Sequence, residues 1–255
     1  MSVKKNLRHI KCVLQPLAYK PYATVLRTTF IAPTRFFLKL SIVGSLLFLA
    51  VPSAFAASGL FGSVEFQAKS LEALPKWRGV LARIQSEQAD YDACEANEMT
   101  CATAGMLSWR HFVKEKKKEQ LSDVKLLQEI NTFINQWPYK TDSENWHKPD
   151  YWATPSEFVE KSGDCEDYAI IKYVTLKQLG VQPKNLRVVV VHDTLRDIDH
   201  AVLAAYTKTG DAYILDSLIN AVLPHKQLLQ YTPYYSVNES TRWAHIMPTK
   251  PSVKK

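Results

Sequence analysis

The spacing of apolar residues predicts that the N-terminal part of the folded chain is helical. Residues 71–92 and 105–137 carry apolar side chains at intervals of three and four, which is the period of an amphipathic helix. Residues 57–70 show no such period, and we expect them to be irregular. We therefore predict a helical N-terminal lobe over residues 57–140.

A further helix is predicted to begin at Cys165 and to be buried. Asp164 stands at the position of an N-cap, and Glu166 and Asp167 fall in the first turn, where the helix dipole favours acidic side chains. Gly180 suits the C-terminal cap. The predicted apolar face consists of Ala169, Ile170, Tyr173, Val174 and Leu179.

Three strands are predicted next, at 186–192, 201–206 and 212–216. The last two flank a short turn with a glycine, which is typical of a β-hairpin. One hairpin register places His200 opposite Asp216, and the other places them one position apart. In both registers they lie at the same open end. With the preceding helix, residues 141–250 are predicted to form an α+β core, packed with the helical lobe in one compact domain.

The charge of the chain is concentrated in a leader. Of the 32 basic residues, eight lie in residues 1–56, which contain no acid; residues 57–255 hold 24 basic and 25 acidic residues, a net charge of −1. The leader ends in an apolar run and an Ala-x-Ala site at Ala54 and Ala56, which predicts a signal peptide, 1–56, that is cleaved. An uncleaved membrane anchor is the alternative. Because residues 57–255 are nearly neutral, nucleic acid is not expected as a partner.

Export would place the cysteines in an oxidising compartment. Cys94 and Cys101 lie in a short polar segment, where a local disulfide is expected and two unpaired thiols are the alternative. If they pair, Cys165 is left over in the mature chain. A leftover cysteine in an exported protein is a candidate reactive group.

Cys165, His200 and Asp216 together could form a nucleophilic site. The N-terminus of a helix favours a thiolate, a histidine can take the thiol proton, and an acid can fix the imidazole tautomer. His192 is an alternative base, but His200 is favoured because its hairpin supplies an acid partner.

The acidic residues around Cys165 have two possible roles. Asp164, Glu166 and Asp167 disfavour a thiolate by their charge, so a bound cation would have to offset them. Their oxygens suit calcium, although the loop that defines an EF-hand is absent from the sequence. Helix capping alone is the other explanation for these acids.

Three segments resemble the bacterial transglutaminase-like cysteine proteinases. They are DYWATPSEFVEKSGDCEDYA (150–169), DHAVLAAY (199–206) and YILDSL (213–218). The resemblance implies a transglutaminase-like, papain-like fold, in which a helical N-terminal part packs on an antiparallel sheet, and a catalytic triad of Cys165, His200 and Asp216. Ala201 departs from the family pattern, in which an apolar methionine follows the histidine.

The resemblance also implies a function and partners. It implies a periplasmic endopeptidase that needs Ca²⁺, bound by Asp164, Glu166 and Asp167. The expected substrate is the N-terminal region of a large surface adhesin, cut at a di-alanine site so that the adhesin is released and the biofilm disperses. An inner-membrane receptor for cyclic-di-GMP is the expected regulator. The alternatives are a transglutaminase-type acyltransferase and a non-catalytic, calcium-dependent binding module.

Overall fold

The computed structural model describes residues 59–119 and 123–248. The predicted signal peptide, residues 1–56, lies outside these residues. In the described ranges no helix is both long and apolar enough to cross a bilayer.

The two segments with helical spacing each form two helices. The helices of the described residues are α1 (Pro75–Ser86), α2 (Gln88–Ala96), α3 (Ala104–Lys116), α4 (Asp123–Ile134), α5 (Asp142–Trp146), α6 (Pro155–Lys161) and α7 (Cys165–Gln178). The first break, at Glu87, leaves no trace in the apolar pattern, because Ile84 before it and Tyr91 after it are buried in the same core. Cys94 and Cys101 form the expected disulfide, with an S–S distance of 1.97 Å.

The strands form one sheet in which every neighbouring pair is antiparallel. The order across it is β1-β7-β6-β2-β3-β4-β5. The strands are β1 (Val64–Ala68), β2 (Leu186–Asp193), β3 (Ile198–Tyr206), β4 (Ala212–Leu215), β5 (Leu223–Pro224), β6 (Tyr231–Val237) and β7 (Arg242–Ile246). The predicted α+β fold with an antiparallel sheet is confirmed. The expectation that residues 57–70 are irregular was wrong, because β1 lies there. It is an edge strand whose residues are largely exposed, so it lacks the alternation that marks a half-buried strand.

The hairpin β3–β4 has a register that differs from both predictions. Leu203 faces Leu215, so in the same register Leu218, not Asp216, would lie opposite His200. The turn is one residue longer than a two-residue loop, and Gly210 adopts a left-handed φ of +87° that closes it. His200 and Asp216 still meet, because the chain leaves the sheet after Leu215.

The sheet is covered on both faces. One face packs on α7 and the other helices; the opposite face packs on Leu60 and Phe61, which precede β1, and on Leu228, which precedes β6. The central strand β2 alternates between these two cores, which explains why its sequence is apolar at four successive positions rather than at every second one. Helix α7 is consequently buried along nearly its whole length.

Candidate active site

The first turn of α7 is held by the Asp167 carboxylate. One oxygen accepts the backbone N–H of Ala153 at 2.7 Å, and the other accepts that of Asp164 at 3.2 Å. Gly163 allows the Asp167 carboxylate to approach the backbone this closely, because a Cβ at position 163 would lie 2.2 Å from the Asp167 Oδ2 atom. The capping role considered from the sequence therefore applies to Asp167.

Helix α7 places the Cys165 sulfur against the start of strand β3. The Sγ atom accepts the backbone N–H of Ala201 at 3.2 Å and lies 3.3 Å from the Glu166 Oε2 atom. Ala201 directly follows His200, so the sulfur touches the backbone next to the predicted base. Because this contact is made by the main chain, it does not depend on the side chain that departs from the family pattern.

His200 and Asp216 form a buried pair. The Nε2 atom of His200 lies 2.8 Å from the Asp216 Oδ1 atom, and each side chain is 1% exposed. Asp216 also accepts the Leu218 N–H at 2.8 Å through Oδ1 and the Tyr231 hydroxyl through Oδ2. Burial would raise the pKa of Asp216, but the charge and hydrogen bond of His200, with the other two donors, lower that pKa to about 2.

The ionised state of Asp216 fixes the state of the imidazole. A carboxylate only accepts hydrogen bonds, so the Nε2 atom of His200 must carry a proton. In the neutral ring Nδ1 is then the acceptor. That is the arrangement a base needs to take a thiol proton.

The alternative base His192 has an acid partner after all. Its Nδ1 atom lies 3.2 Å from the Asp199 Oδ1 atom, so the presence of an acid partner does not by itself distinguish His200 from His192. The His192 side chain is 28% exposed, whereas His200 is buried and adjacent to the residue that contacts the sulfur. His200 remains the favoured base on these grounds.

A cluster of carboxylates lies beside Cys165. Three groups have potential ligand atoms that all lie within 4.8 Å of one another: Asp164, Cys165 and Glu166; Asp142, Asp164 and Asp167; and Asp142, Asp150 and Glu166. All three predicted metal ligands are thus in the cluster. Asp142 and Asp150, 22 and 14 positions before Asp164, were missed, because neither belongs to a short ligand motif.

The donor set of this cluster fits a hard divalent cation. Burial raises the pKa of Asp142 to about 7, and the charge of Asp164 contributes to this shift. Burial also raises the pKa of Glu166 well above its ordinary value. The Oδ1 atoms of Asp142 and Asp164 are buried and accept no hydrogen bond from the described residues. Several buried carboxylate oxygens in one place repel one another unless a positive charge offsets them, and calcium takes oxygen ligands of this kind.

Comparison with known proteins identifies the family. The sequence model of the bacterial transglutaminase-like cysteine proteinases (BTLCP) matches residues 84–251. The chain belongs to this family. LapG of Legionella pneumophila is 31% identical, with a TM-score of 0.51, over 62% of this chain and 86% of that one. Calcium-bound LapG of the same organism is also 31% identical, with a TM-score of 0.50, over 70% of this chain and 92% of that one. No curated protein sequence matches significantly.

Membership of the bacterial transglutaminase-like cysteine proteinases confirms the predicted resemblance and makes the protein a cysteine protease by family. The matched region contains Cys165, His200 and Asp216. Their roles as nucleophile, base and acid, and the metal ligands, stay predictions. Tyr231, which holds Asp216, was missed by the sequence reasoning, because no local motif marks a tyrosine that reaches an acid 15 positions earlier.

Proposed function

We propose that this protein is a calcium-dependent cysteine endopeptidase with Cys165 as nucleophile, His200 as base and Asp216 as the acid that orients the base. The observation that supports it most is the meeting of α7 and β3: the Cys165 sulfur accepts the N–H of the residue after His200, whose imidazole is bonded to Asp216. A helix N-terminus also favours the thiolate through its dipole.

In the proposed reaction, the Nδ1 atom of His200 takes the proton of the reduced Cys165 thiol. The thiolate attacks the carbonyl carbon of the scissile peptide bond, so that a carbon–sulfur bond forms and the carbonyl oxygen becomes an oxyanion. The Cys165 backbone N–H, at the first turn of α7, is the first donor for this oxyanion. The imidazolium gives its proton to the leaving amine as the carbon–nitrogen bond breaks.

Hydrolysis of the thioester completes the proposed cycle. His200 takes a proton from water, the resulting hydroxide attacks the thioester carbonyl, and the carbon–sulfur bond breaks to release the acid product and the thiolate. Asp216 stays ionised throughout and stabilises the imidazolium by its charge. An amine in place of water would turn the same intermediate into the product of acyl transfer.

Calcium is proposed as the cofactor, held by Asp164 and Glu166 with Asp142, Asp150 and Asp167 around them. When bound it would supply positive charge beside Cys165. The Glu166 carboxylate lies 3.3 Å from the sulfur, so the residues of this cluster set the local electrostatic environment of the nucleophile. Asp167 also fixes the turn through its two backbone hydrogen bonds.

The proposed substrate is the N-terminal region of a large surface adhesin, cut at a di-alanine site in the periplasm. Cleavage would release the adhesin and promote dispersal of the biofilm, and an inner-membrane receptor for cyclic-di-GMP would hold the protease inactive. This part of the proposal extends from the family and from the similarity to Legionella pneumophila LapG.

The test is cleavage of an adhesin N-terminal fragment by the purified protein, with and without EGTA. We expect two fragments with calcium, and none with EGTA or from Cys165→Ala, whose melting temperature should stay within a few degrees of the wild type. The Cys94→Ala/Cys101→Ala double variant is the matched control, since it also removes cysteines but should cleave.

Each alternative predicts a different result of this experiment. Retained cleavage by Cys165→Ala would refute the triad, and cleavage unaffected by EGTA would remove calcium from the proposal. A crosslinked product in place of two fragments would favour the acyltransferase. Binding of the fragment that survives alkylation of Cys165, without any cleavage, would favour a non-catalytic module.

A further inference from the structure

Helix α7 carries a buried lysine on the same side as the nucleophile. Lys172 lies seven residues, or about two helical turns, after Cys165, and its side chain is fully buried. Its ammonium donates to the side-chain oxygen of Asn135 at 2.7 Å, so a neutral amide accepts this bond. Burial lowers the pKa of Lys172 to about 7, and the charge of Asp216 opposes this shift.

Asn135 connects this lysine to the loop of the predicted catalytic acid. It directly follows α4, and its Nδ2 atom donates to the backbone oxygen of Asp216 at 2.9 Å. The same nitrogen lies 3.3 Å from the Ile219 carbonyl oxygen and 3.0 Å from the Asn220 Oδ1 atom. Because the Asn135 oxygen is engaged by Lys172, its amide is held with the nitrogen turned toward Asp216.

Two further amides of α4 hold the rest of the same loop. Asn131 donates to the carbonyl oxygens of Ile219 and Asn220, each at 2.9 Å. Gln128 donates to the Asn220 carbonyl at 2.7 Å and accepts the Val222 N–H at 3.0 Å. Neither of these side chains is bonded to Asp216 itself, which makes Asn131 a natural comparison for Asn135.

The position of this loop decides the position of the imidazole. Asp216 bonds the Nε2 atom of His200 at 2.8 Å, and a displacement of reacting groups by about 1 Å can cost roughly a hundredfold in rate. The chain from Lys172 through Asn135 to Asp216 therefore links the helix that carries Cys165 to the acid that orients His200.

We propose that Asn135 and Lys172 are positioning residues that set the Asp216 loop relative to the nucleophile helix. The inference rests on the proposed roles of Cys165, His200 and Asp216. Lys172 acts through Asn135: it fixes the amide so that the Asp216 carbonyl is held, and it does not touch substrate or the reacting atoms.

The experiment compares Asn135→Ala with Asn131→Ala in the purified, reduced protein with calcium. We expect Asn135→Ala to lower kcat by tenfold to a hundredfold with KM changed less than twofold. Asn131→Ala also removes bonds to this loop, two of them, so it should reduce resistance to urea as well, yet keep kcat within about threefold. Asn135→Asp keeps the acceptor for Lys172 but loses the donor to Asp216, and should behave as Asn135→Ala does.

A double-mutant cycle tests the role of Lys172. If Lys172 acts through Asn135, the Lys172→Met/Asn135→Ala double variant should lose no more kcat than Asn135→Ala alone. Losses that multiply would overturn this coupling. Equal losses of kcat in Asn131→Ala and Asn135→Ala would overturn the positioning role, as would a defect confined to KM.

The rate at which iodoacetamide labels reduced Cys165 separates this inference from the proposed function. It reports the nucleophile without a substrate, and we expect Asn135→Ala to slow labelling at pH 7 while Asn131→Ala does not. If the wild type labels but cleaves no adhesin fragment, the proposed substrate is wrong and the labelling comparison still decides the positioning role. If the wild type cleaves and both variants label and cleave alike, the positioning role is wrong.

Discussion

Replacing Tyr231 by phenylalanine isolates one hydrogen bond to the predicted catalytic acid. The tyrosine hydroxyl donates to the Asp216 Oδ2 atom, both residues are buried, and phenylalanine keeps the ring that packs against Phe61 and His200. The variant thus leaves a buried carboxylate oxygen without its donor and changes little else.

The expected loss follows from the pKa of Asp216. That pKa is about 2 in the folded protein, against about 3.9 for an unfolded chain, so the ionised carboxylate contributes roughly 2.5 kcal/mol to the free energy of unfolding at pH 7. Three donors share this stabilisation: His200, Leu218 and Tyr231. We expect Tyr231→Phe to lower the free energy of unfolding by about 1–2 kcal/mol.

The sign of the pH dependence is fixed by the direction of the shift. Because the pKa of Asp216 is lower in the folded state, its stabilisation is complete above about pH 4 and is lost as the pH falls through about 2. Tyr231→Phe raises the folded-state pKa, so it has less of this stabilisation to lose. The difference between wild type and variant should therefore be constant from pH 7 to about pH 5 and shrink below pH 4.

Urea unfolding followed by tryptophan fluorescence at pH 7, 5, 4 and 3 measures this difference. Tyr234→Phe is the matched control, since its hydroxyl also donates to a carboxylate, Asp199, at 3.0 Å, but in an exposed setting. It should change the free energy of unfolding by less than about 0.5 kcal/mol. The reasoning would be refuted if Tyr231→Phe were as stable as the wild type at pH 7. It would also be refuted if the difference in the free energy of unfolding between the two grew toward low pH.

Three further predictions concern the metal, the disulfide and the turn before the nucleophile. Calcium at a hundred times its dissociation constant should stabilise the folded protein by about 2.7 kcal/mol, and equal melting temperatures in calcium and in EGTA would contradict the site. Cys94→Ala/Cys101→Ala should lose about 2.5 kcal/mol of unfolding free energy by the chain-entropy relation yet keep its cleavage rate; an unchanged urea midpoint would show that the crosslink contributes nothing. Gly163→Ala should slow the alkylation of Cys165 by at least tenfold, because the new Cβ displaces the Asp167 carboxylate; wild-type labelling would show that the turn can adjust.

Features set by neighbouring residues could be predicted from the sequence. Helix α7 begins at Cys165 as expected, because Gly163, Asp164 and Asp167 provide local turn and capping chemistry. Strands β2, β3 and β4 were located for the same reason, since runs of apolar β-branched residues and a glycine turn are local signals. The register of the hairpin β3–β4 could not be predicted in this way, because one additional loop residue changes every pairing while leaving the apolar pattern intact.

Features that depend on distant parts of the chain could not be predicted. Asn135 reaches Asp216 across 81 positions, and Asp142 approaches Asp164 through the fold of the segment between them, which carries α5 and α6. Strand β1 is recognisable only through its pairing with β7, 174 or more positions away. Each of these contacts is created by packing, so the residues that make them look like ordinary polar or exposed positions in the sequence.

The acids around Cys165 do not all do the same thing. Asp167 is committed to two backbone hydrogen bonds that hold the first turn of α7, which is the capping explanation. Glu166 instead lies 3.3 Å from the sulfur, in the group with Asp142 and Asp150, where capping explains nothing. Capping and the proposed cation binding are therefore not competing explanations of one motif: Asp167 caps the helix, and Glu166 is a proposed ligand whose charge lies beside the thiol.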